Sequence, residues 1–409
     1  MTHPDGQPVL LRNARLVLPD RVAENSSLLV EAGRIVRVLD SKTDQLPSVD
    51  SVLDLNGLTL FPGFIDIHIH GAAGVDTMAA TAADLRRVAE FLARHGVTAW
   101  VPTLVPASNE EYERSIGVIE QAVAQTSVCD FLDAAANHRL KSVPLARVLG
   151  VHYEGPFVNS EQCGALHREH FRTFKAAADL DSLPRIKHEG AVHLMTLAPE
   201  IEGGIALIKE LHRQGWIVSI GHTRATPEVL DEALQNGARH MTHFMNAMTP
   251  LHHRAPGPVG WGLINDEVTC DVIADGVHLD PSILKLILRS KTAERISLIS
   301  DAVSPTGLGD GEYQIWGETI RVRSGRTENA RGSIAGSVIT MLDAVRLMLS
   351  LGASESAVAR MASLNPARLL GIDKDCGSIE EGKRADLVAL DRDGQVRTIV
   401  IGGVAAGEL

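Results

Sequence analysis

Phe64-Ile65-Asp66-Ile67-His68-Ile69-His70-Gly71 follows a Pro62-Gly63 turn and closes an apolar run on two histidines one residue apart. A strand repeats every two residues, so both imidazoles leave the backbone on the same side. That geometry suits one metal ion. On its own it equally suits two histidines bonded to backbone or water. The two readings separate on whether polar strand ends recur along the chain.

They recur. Eight apolar runs are Phe64 to His70, Val97 to Val105, Val148 to Glu154, Val192 to Pro199, Trp216 to His222, Arg239 to Asn246, Val268 to His278 and Ile296 to Asp301. Amphipathic stretches separate them, such as Ala82-Ala83-Asp84-Leu85-Arg86-Arg87-Val88-Ala89-Glu90-Phe91-Leu92. Eight strand–helix units over about 300 residues predict an α/β fold, a (β/α)8 TIM barrel. A doubly wound sheet is the structural competitor, but it usually carries a Gly-rich nucleotide loop after its first strand, and none is present. Gly307-Leu308-Gly309-Asp310-Gly311 lacks the strand-to-helix setting and reads as a hairpin loop.

Outside these runs the chain reads as short strands. Val9-Leu10-Leu11, Leu16-Val17-Leu18, Ser27-Leu28-Leu29-Val30 and Arg34-Ile35-Val36-Arg37-Val38 are broken by turn residues, with Glu31-Ala32-Gly33-Arg34 as a hairpin loop. Ala385 to Leu390 and Val396 to Ile401 repeat the style at the other end. The expected organisation is a small β-sandwich domain built from both termini, residues 1–60 and 369–409, around a catalytic barrel at 61–368.

Composition narrows the function. The 409 residues are 44% apolar and 22% charged, ordinary for a globular chain. A net charge of −12 with no basic stripe argues against nucleic acid as a partner. Cys129, Cys163, Cys270 and Cys376 are scattered without a CxxC, so neither a disulfide framework nor a thiolate zinc site is expected. Met1-Thr2-His3-Pro4-Asp5 carries no basic or apolar leader, and no apolar stretch approaches the ~20 residues that span a bilayer. The expectation is a cytoplasmic protein with no membrane partner.

Barrels of this kind place their active sites at the C-terminal ends of the strands. Here those ends carry His68 and His70, then Glu154, His222, His243 and Asp301. A carboxylate at a barrel mouth is costly unless it is paired or bound to a metal. Imidazole plus carboxylate is a ligand set for borderline-soft divalent ions. Taken singly, His222 or His243 would be structural, Glu154 would pair with an arginine and Asp301 would cap a turn. Six such residues on one rim favour a metal-dependent site. His152, two residues before Glu154, is read as core or support and not as a ligand.

With these residues in place the chain resembles the amidohydrolase superfamily, and within it the N-acetylglucosamine-6-phosphate deacetylases, over nearly its whole length. The marks include Glu154-Gly155-Pro156-Phe157, Gly221-His222-Thr223, Thr242-His243-Phe244-Met245-Asn246-Ala247-Met248, Arg254-Ala255-Pro256-Gly257, Ala274-Asp275-Gly276-Val277-His278 and Ser300-Asp301-Ala302. The resemblance implies one or two divalent metals per subunit (zinc, iron, manganese or cobalt). Glu154, His222 and His243 would hold one, and His68 and His70 a second, bridged by Glu154. It implies Asp301 as the general base and acid of acetamide hydrolysis. Arg254, His278, Asn246 and the backbone at Ala247 would contact the sugar phosphate, with Ile334 also in the substrate-binding set. A guanidinium that forks onto two phosphate oxygens makes the Arg254 assignment apt. Part of the phosphate clamp in such enzymes comes from a neighbouring subunit, so a homodimer is implied. No lysine ends the fourth run, Leu194-Met195-Thr196-Leu197-Ala198-Pro199, which argues against a carbamylated-lysine bridge.

The pattern breaks at Glu161-Gln162-Cys163-Gly164-Ala165-Leu166-His167. Relatives carry a basic residue where Cys163 stands and a histidine where Leu166 stands. Either a one-residue bulge lets His167 serve, or the pocket takes another substrate. Cys163 reads as a packing residue, since the metal already provides the nucleophile. The expected reaction is deacetylation of an N-acetylhexosamine 6-phosphate, with N-acetyl-D-glucosamine 6-phosphate first. The alternatives are the galactosamine epimer, another N-acyl amine or amino acid, and, remotely, a non-catalytic scaffold.

Overall fold

Apolar runs with no polar alternation bury both faces, and here they pair side by side as parallel strands. The structure, a computed structural model, describes residues 7–40, 43–136 and 144–406, and for residues 127–136 the backbone alone. The Met1–Asp5 leader reading and the Cys129 side chain lie outside what is described. The barrel strands are β1 (Phe64–Ile69), β2 (Val97–Leu104), β3 (Gly150–Glu154), β4 (Val192–Leu197), β5 (Ile217–Ile220), β6 (His240–Met241), β7 (Thr269–Ile273) and β8 (Ile296–Ile299). Each of the eight expected runs contains one. They pair in chain order, all in parallel. The circle closes past the end of β8: Asp301 N donates to His68 O at 2.9 Å, His70 N donates to Ala302 O at 2.8 Å, and Ile69 bridges Ala302 in parallel.

The helices wrap the barrel because their sequences are one-sided. Ala82–Arg94 buries Leu85, Val88, Ala89 and Leu92, the spacing of one helical face, and starts on a capping box between Thr81 and Asp84. Met341–Ser350 begins in the same way on Thr340 and Asp343. Inside the barrel, Ile65, Ile67, Ala99, Val101, Val192, Ile273 and Ile299 form one cluster drawn from five strands.

Eight further strands form one continuous sheet that joins the two ends of the chain. Thr59–Pro62 pairs in parallel with Val9–Val17 and antiparallel with Leu387–Leu390, which continues to Val396–Ile401. Its own core holds Leu11, Leu16, Leu28, Ile35, Leu60, Leu387 and Val400. The turn at Ala32-Gly33 has φ of 48° and 76°, as a two-residue hairpin loop demands. Gly307 to Gly311 is corrected: it is the lead-in to a hairpin, Gly311–Ile315 with Glu318–Arg323, whose loop is Trp316-Gly317.

Candidate metal centre and active site

His68 and Glu154 sit in the last residues of their strands, whereas His70, His222, His243 and Asp301 lie just past strand ends, where the ladder no longer sets the backbone. His222, His243 and Asp301 all adopt left-handed φ, at 47°, 32° and 49°. Such conformations are costly for residues with a Cβ and persist where the surroundings fix them. The surroundings do so here. Asp271 of β7, buried within an apolar strand, accepts the N–H of His243 on Oδ1 and binds His240 Nε2 through Oδ2 at 3.0 Å. Its own carbonyl accepts Phe244 N at 2.9 Å. Glu200 ties three loops together: it accepts Asn159 Nδ2 at 2.8 Å, Thr223 Oγ1 at 2.6 Å and Arg224 N at 2.6 Å. Gly221, before His222, has no room for a side chain, since a Cβ would lie 2.6 Å from Thr196 Cγ2.

The structure brings His68, His70, Glu154, His222, His243 and Asp301 to one point. Glu154 Oε1 lies 2.9 Å from His222 Nε2 and 3.0 Å from His243 Nε2, and those two nitrogens are 3.1 Å apart. Its Oε2 lies 3.2 Å from His70 Nε2, which is 3.2 Å from His68 Nε2. Asp301 Oδ1 is 3.3 Å from both of those ring nitrogens. All six side chains are buried. Burial opposes ionisation of Glu154, but His68, His222 and His243 outweigh it and hold the carboxyl well below its usual range. Asp301 is lowered too, against its burial, by His68 and His70.

The donor set fits a cation. His222 Nδ1 faces the carbonyl of Gln162 at 2.7 Å, and a carbonyl only accepts, so Nδ1 carries the hydrogen. In the neutral ring Nε2 is then a lone pair aimed at a carboxylate oxygen and at a second imidazole. An ion between them reconciles all three, and a hydrogen bond from the distal nitrogen is the usual support for such a ligand. Among the described residues two groups satisfy the spacing, Glu154 with His222 and His243, and His68 with His70 and Glu154. His152 is in neither. Burial holds its pKa well below the usual value; its Nε2 pairs with Thr196 Oγ1 at 2.8 Å, and Thr196 continues to Thr242 at 2.6 Å.

The expected substrate contacts spread around the rim. Asn246 Nδ2 donates to His243 O at 3.1 Å, and Ala247, with φ of 49°, accepts Thr223 N at 3.1 Å. His278 donates from Nδ1 to Asp275 at 2.7 Å. Arg254 is exposed beside His253 Nε2 at 2.6 Å. Ile334 is half-buried on the loop after the hairpin. His167 does not join the metal cluster: its nitrogens meet Glu169 at 3.2 Å and Glu318 at 3.4 Å. Leu166 is buried in the main core, and Cys163 is buried with its sulfur accepting Arg168 Nε at 3.2 Å. Asp271 and Glu200 escaped the reading of strand ends. For Asp271 the available signal was a carboxylate in the middle of an apolar run.

Residues 59–406 match the Amidohydrolase family. The chain is 36% identical over 407 residues to an N-acetylgalactosamine-6-phosphate deacetylase of Escherichia coli O157:H7, covering 99% of this chain and 100% of that one. It is 34% identical over 410 residues to an N-acetylglucosamine-6-phosphate deacetylase of Bacillus subtilis (strain 168), covering 98% and 97%. Among solved structures, an N-acetyl-D-glucosamine-6-phosphate deacetylase variant of Mycobacterium smegmatis in complex with N-acetyl-D-glucosamine-6-phosphate superposes with a TM-score of 0.85 at 31% identity, over 98% of this chain and 100% of that one. The chain belongs to the amidohydrolase family, in its branch of N-acetylglucosamine-6-phosphate and N-acetylgalactosamine-6-phosphate deacetylases, which are hydrolases of amide C–N bonds.

Proposed function

We propose that this protein hydrolyses the acetamide of an N-acetylhexosamine 6-phosphate, N-acetyl-D-glucosamine 6-phosphate first, to acetate and the amino sugar 6-phosphate. The observation that carries the reading is the convergence of four imidazoles on Glu154 and Asp301 at the barrel mouth. Glu154, His222 and His243 would hold one divalent ion, and His68 and His70 a second that shares Glu154; zinc, iron, manganese and cobalt all suit these donors. A bound ion supplies Lewis acidity and lets water ionise near neutral pH. Asp301, kept ionised, takes the proton of the attacking water and returns it to the departing nitrogen. Arg254 forks onto the phosphate, and His278, its ring oriented by Asp275, adds a contact with Asn246, Ala247 and Ile334 nearby. His167 stays with the substrate-binding set only if it leaves Glu318.

A specific observation favours a second reading. Leu166 fills, as a core residue, the place where a histidine was expected to meet the sugar, and the E. coli relative acts on the galactosamine epimer by its name. The same proposal divides the chain at 60 and 368 into barrel and terminal sheet, and makes it a homodimer. Leu251 and Ile264, 51% and 84% exposed, are apolar side chains that support pairing. We place the protein in the cytoplasm, which the free, buried Cys163, Cys270 and Cys376 support. Among the described residues no helix is long and apolar enough to cross a membrane.

The test is acetate release from glucosamine and galactosamine N-acetyl sugars, with and without the 6-phosphate, on protein of known metal content. Phosphorylated sugars should be turned over with far higher kcat/KM, and Arg254→Ala should raise KM for them alone. Equal rates on free and phosphorylated sugars would sink the substrate class.

A further inference from the structure

The hairpin after β8 turns through Trp316 and Gly317, with φ of 51° and 78°. Two-residue loops with both φ positive favour asparagine or glycine at the first position, because a Cβ is crowded there. A tryptophan in that place is strained, and strain of this kind points to a role for the side chain. The strained turn sets the indole edge-on against His70, with ring centroids 5.2 Å apart and planes at 79°. Trp316 also lines a cavity of about 510 Å³ in which Val75, Met78 and Val105 form an apolar strip beside the charged Asp76, Arg87, Glu111 and Arg114. The hairpin is pinned in this position, since Glu318 meets His167 and Arg331 at 3.4 Å each.

The cavity stands over the loops that follow β1, β2 and β3. Arg254 and His278 follow β6 and β7, across the barrel mouth. On the deacetylase reading, on which this inference rests, a sugar phosphate held at Arg254 and His278 directs the acyl end of its amide towards His70 and the indole. We propose that Trp316 sets acyl-length specificity: its ring closes the cavity off from the metal cluster and limits the acyl group to acetyl. With the ring removed, the cavity receives a longer unbranched acyl chain.

The test compares wild type with Trp316→Asn, Trp316→Gly and Trp316→Phe, all metal-loaded, on N-acetyl and N-butyryl glucosamine 6-phosphate by release of free amine. Asparagine and glycine both accept a left-handed turn, so the hairpin should still form in both variants, at a lower Tm because the indole packs against the core. The butyryl-to-acetyl ratio of kcat/KM should rise by about tenfold or more in both, since each extra buried methylene is worth roughly fourfold. The Trp316→Phe variant, which keeps a ring, should hold the wild-type ratio. An unchanged ratio in both small variants overturns the proposal, as does a wild type that accepts butyryl as readily as acetyl. Wild-type acetate release tests the deacetylase reading separately, so the two can fail independently.

Discussion

The single carbonyl of Gln162 shows how little is needed to make a histidine ready for a cation. It takes the Nδ1 hydrogen of His222 and leaves the Nε2 lone pair of the neutral ring facing Glu154. No such partner reaches Nδ1 of His68 or His70, and His243 Nδ1 lacks one too, so the support is missing from both imidazoles of the His68/His70 position and from one of the two at the other. Ligands lacking that support typically bind about 10–100-fold more weakly. The His68/His70 position should therefore be the one that empties first on dilution into metal-free buffer. Replacing both, His68→Asn with His70→Asn, should lower metal content by about one ion per chain while the Glu154, His222 and His243 position stays filled; elemental analysis of the purified variant decides it. The six clustered residues were legible in the sequence because each interrupts or ends an apolar run with a group that burial penalises. His167 was open to two readings for the opposite reason. It lies in an irregular loop, where neighbours such as Glu318, more than 150 residues later, decide which way a ring points.

At the scale of elements, the joint between barrel and terminal sheet rests on Asp386. Its Oδ2 meets Arg147 at 2.9 Å and Arg384 at 3.2 Å, its Oδ1 accepts Gly402 N at 2.7 Å, and its carbonyl accepts Gly63 N at 2.8 Å, just before β1. Burial alone would raise the Asp386 pKa, but Arg147, Arg384 and the Gly402 N–H outweigh it and the carboxyl is lowered. A lowered carboxyl contributes stability that is complete above the unfolded value of about 4 and fades as pH falls through the folded value. Asp386→Asn should cost about 1.5–3 kcal/mol at pH 7, because it takes the buried negative charge away from two part-buried guanidiniums. It should also lose less than wild type on going below pH 4. Urea melts of both proteins at pH 7 and pH 3.5 measure the difference, and parallel losses would remove Asp386 from the account. The strands themselves were legible from their apolar runs, and so was the hairpin at Ala32-Gly33. The Trp316-Gly317 hairpin was not: Tyr313, Ile315, Ile320 and Val322 alternate with polar residues, but the loop carries a residue that such turns disfavour.

At the scale of the molecule, the barrel folds around four imidazoles and two carboxylates that are satisfied only together. An ion that binds the folded cluster and not the unfolded chain stabilises by about 4 kcal/mol at a thousandfold excess over its Kd. Stripping the metal with a chelator should lower Tm, and adding it back should restore Tm and acetate release together. A melting curve indifferent to chelator would mean that the cluster holds no ion. The sequence by itself determined the barrel, the joined termini and the six groups at its mouth. It could do so because apolar periodicity and the cost of burying charge are local properties that residue order records directly. Only the tertiary structure decided which lone pairs face each other, that Asp271 and Glu200 hold the ligand loops, that His167 turns to Glu318, and that Trp316 stands between His70 and a cavity. Each of those depends on distances between segments far apart in the chain, and such distances exist only once the strands have closed into a ring.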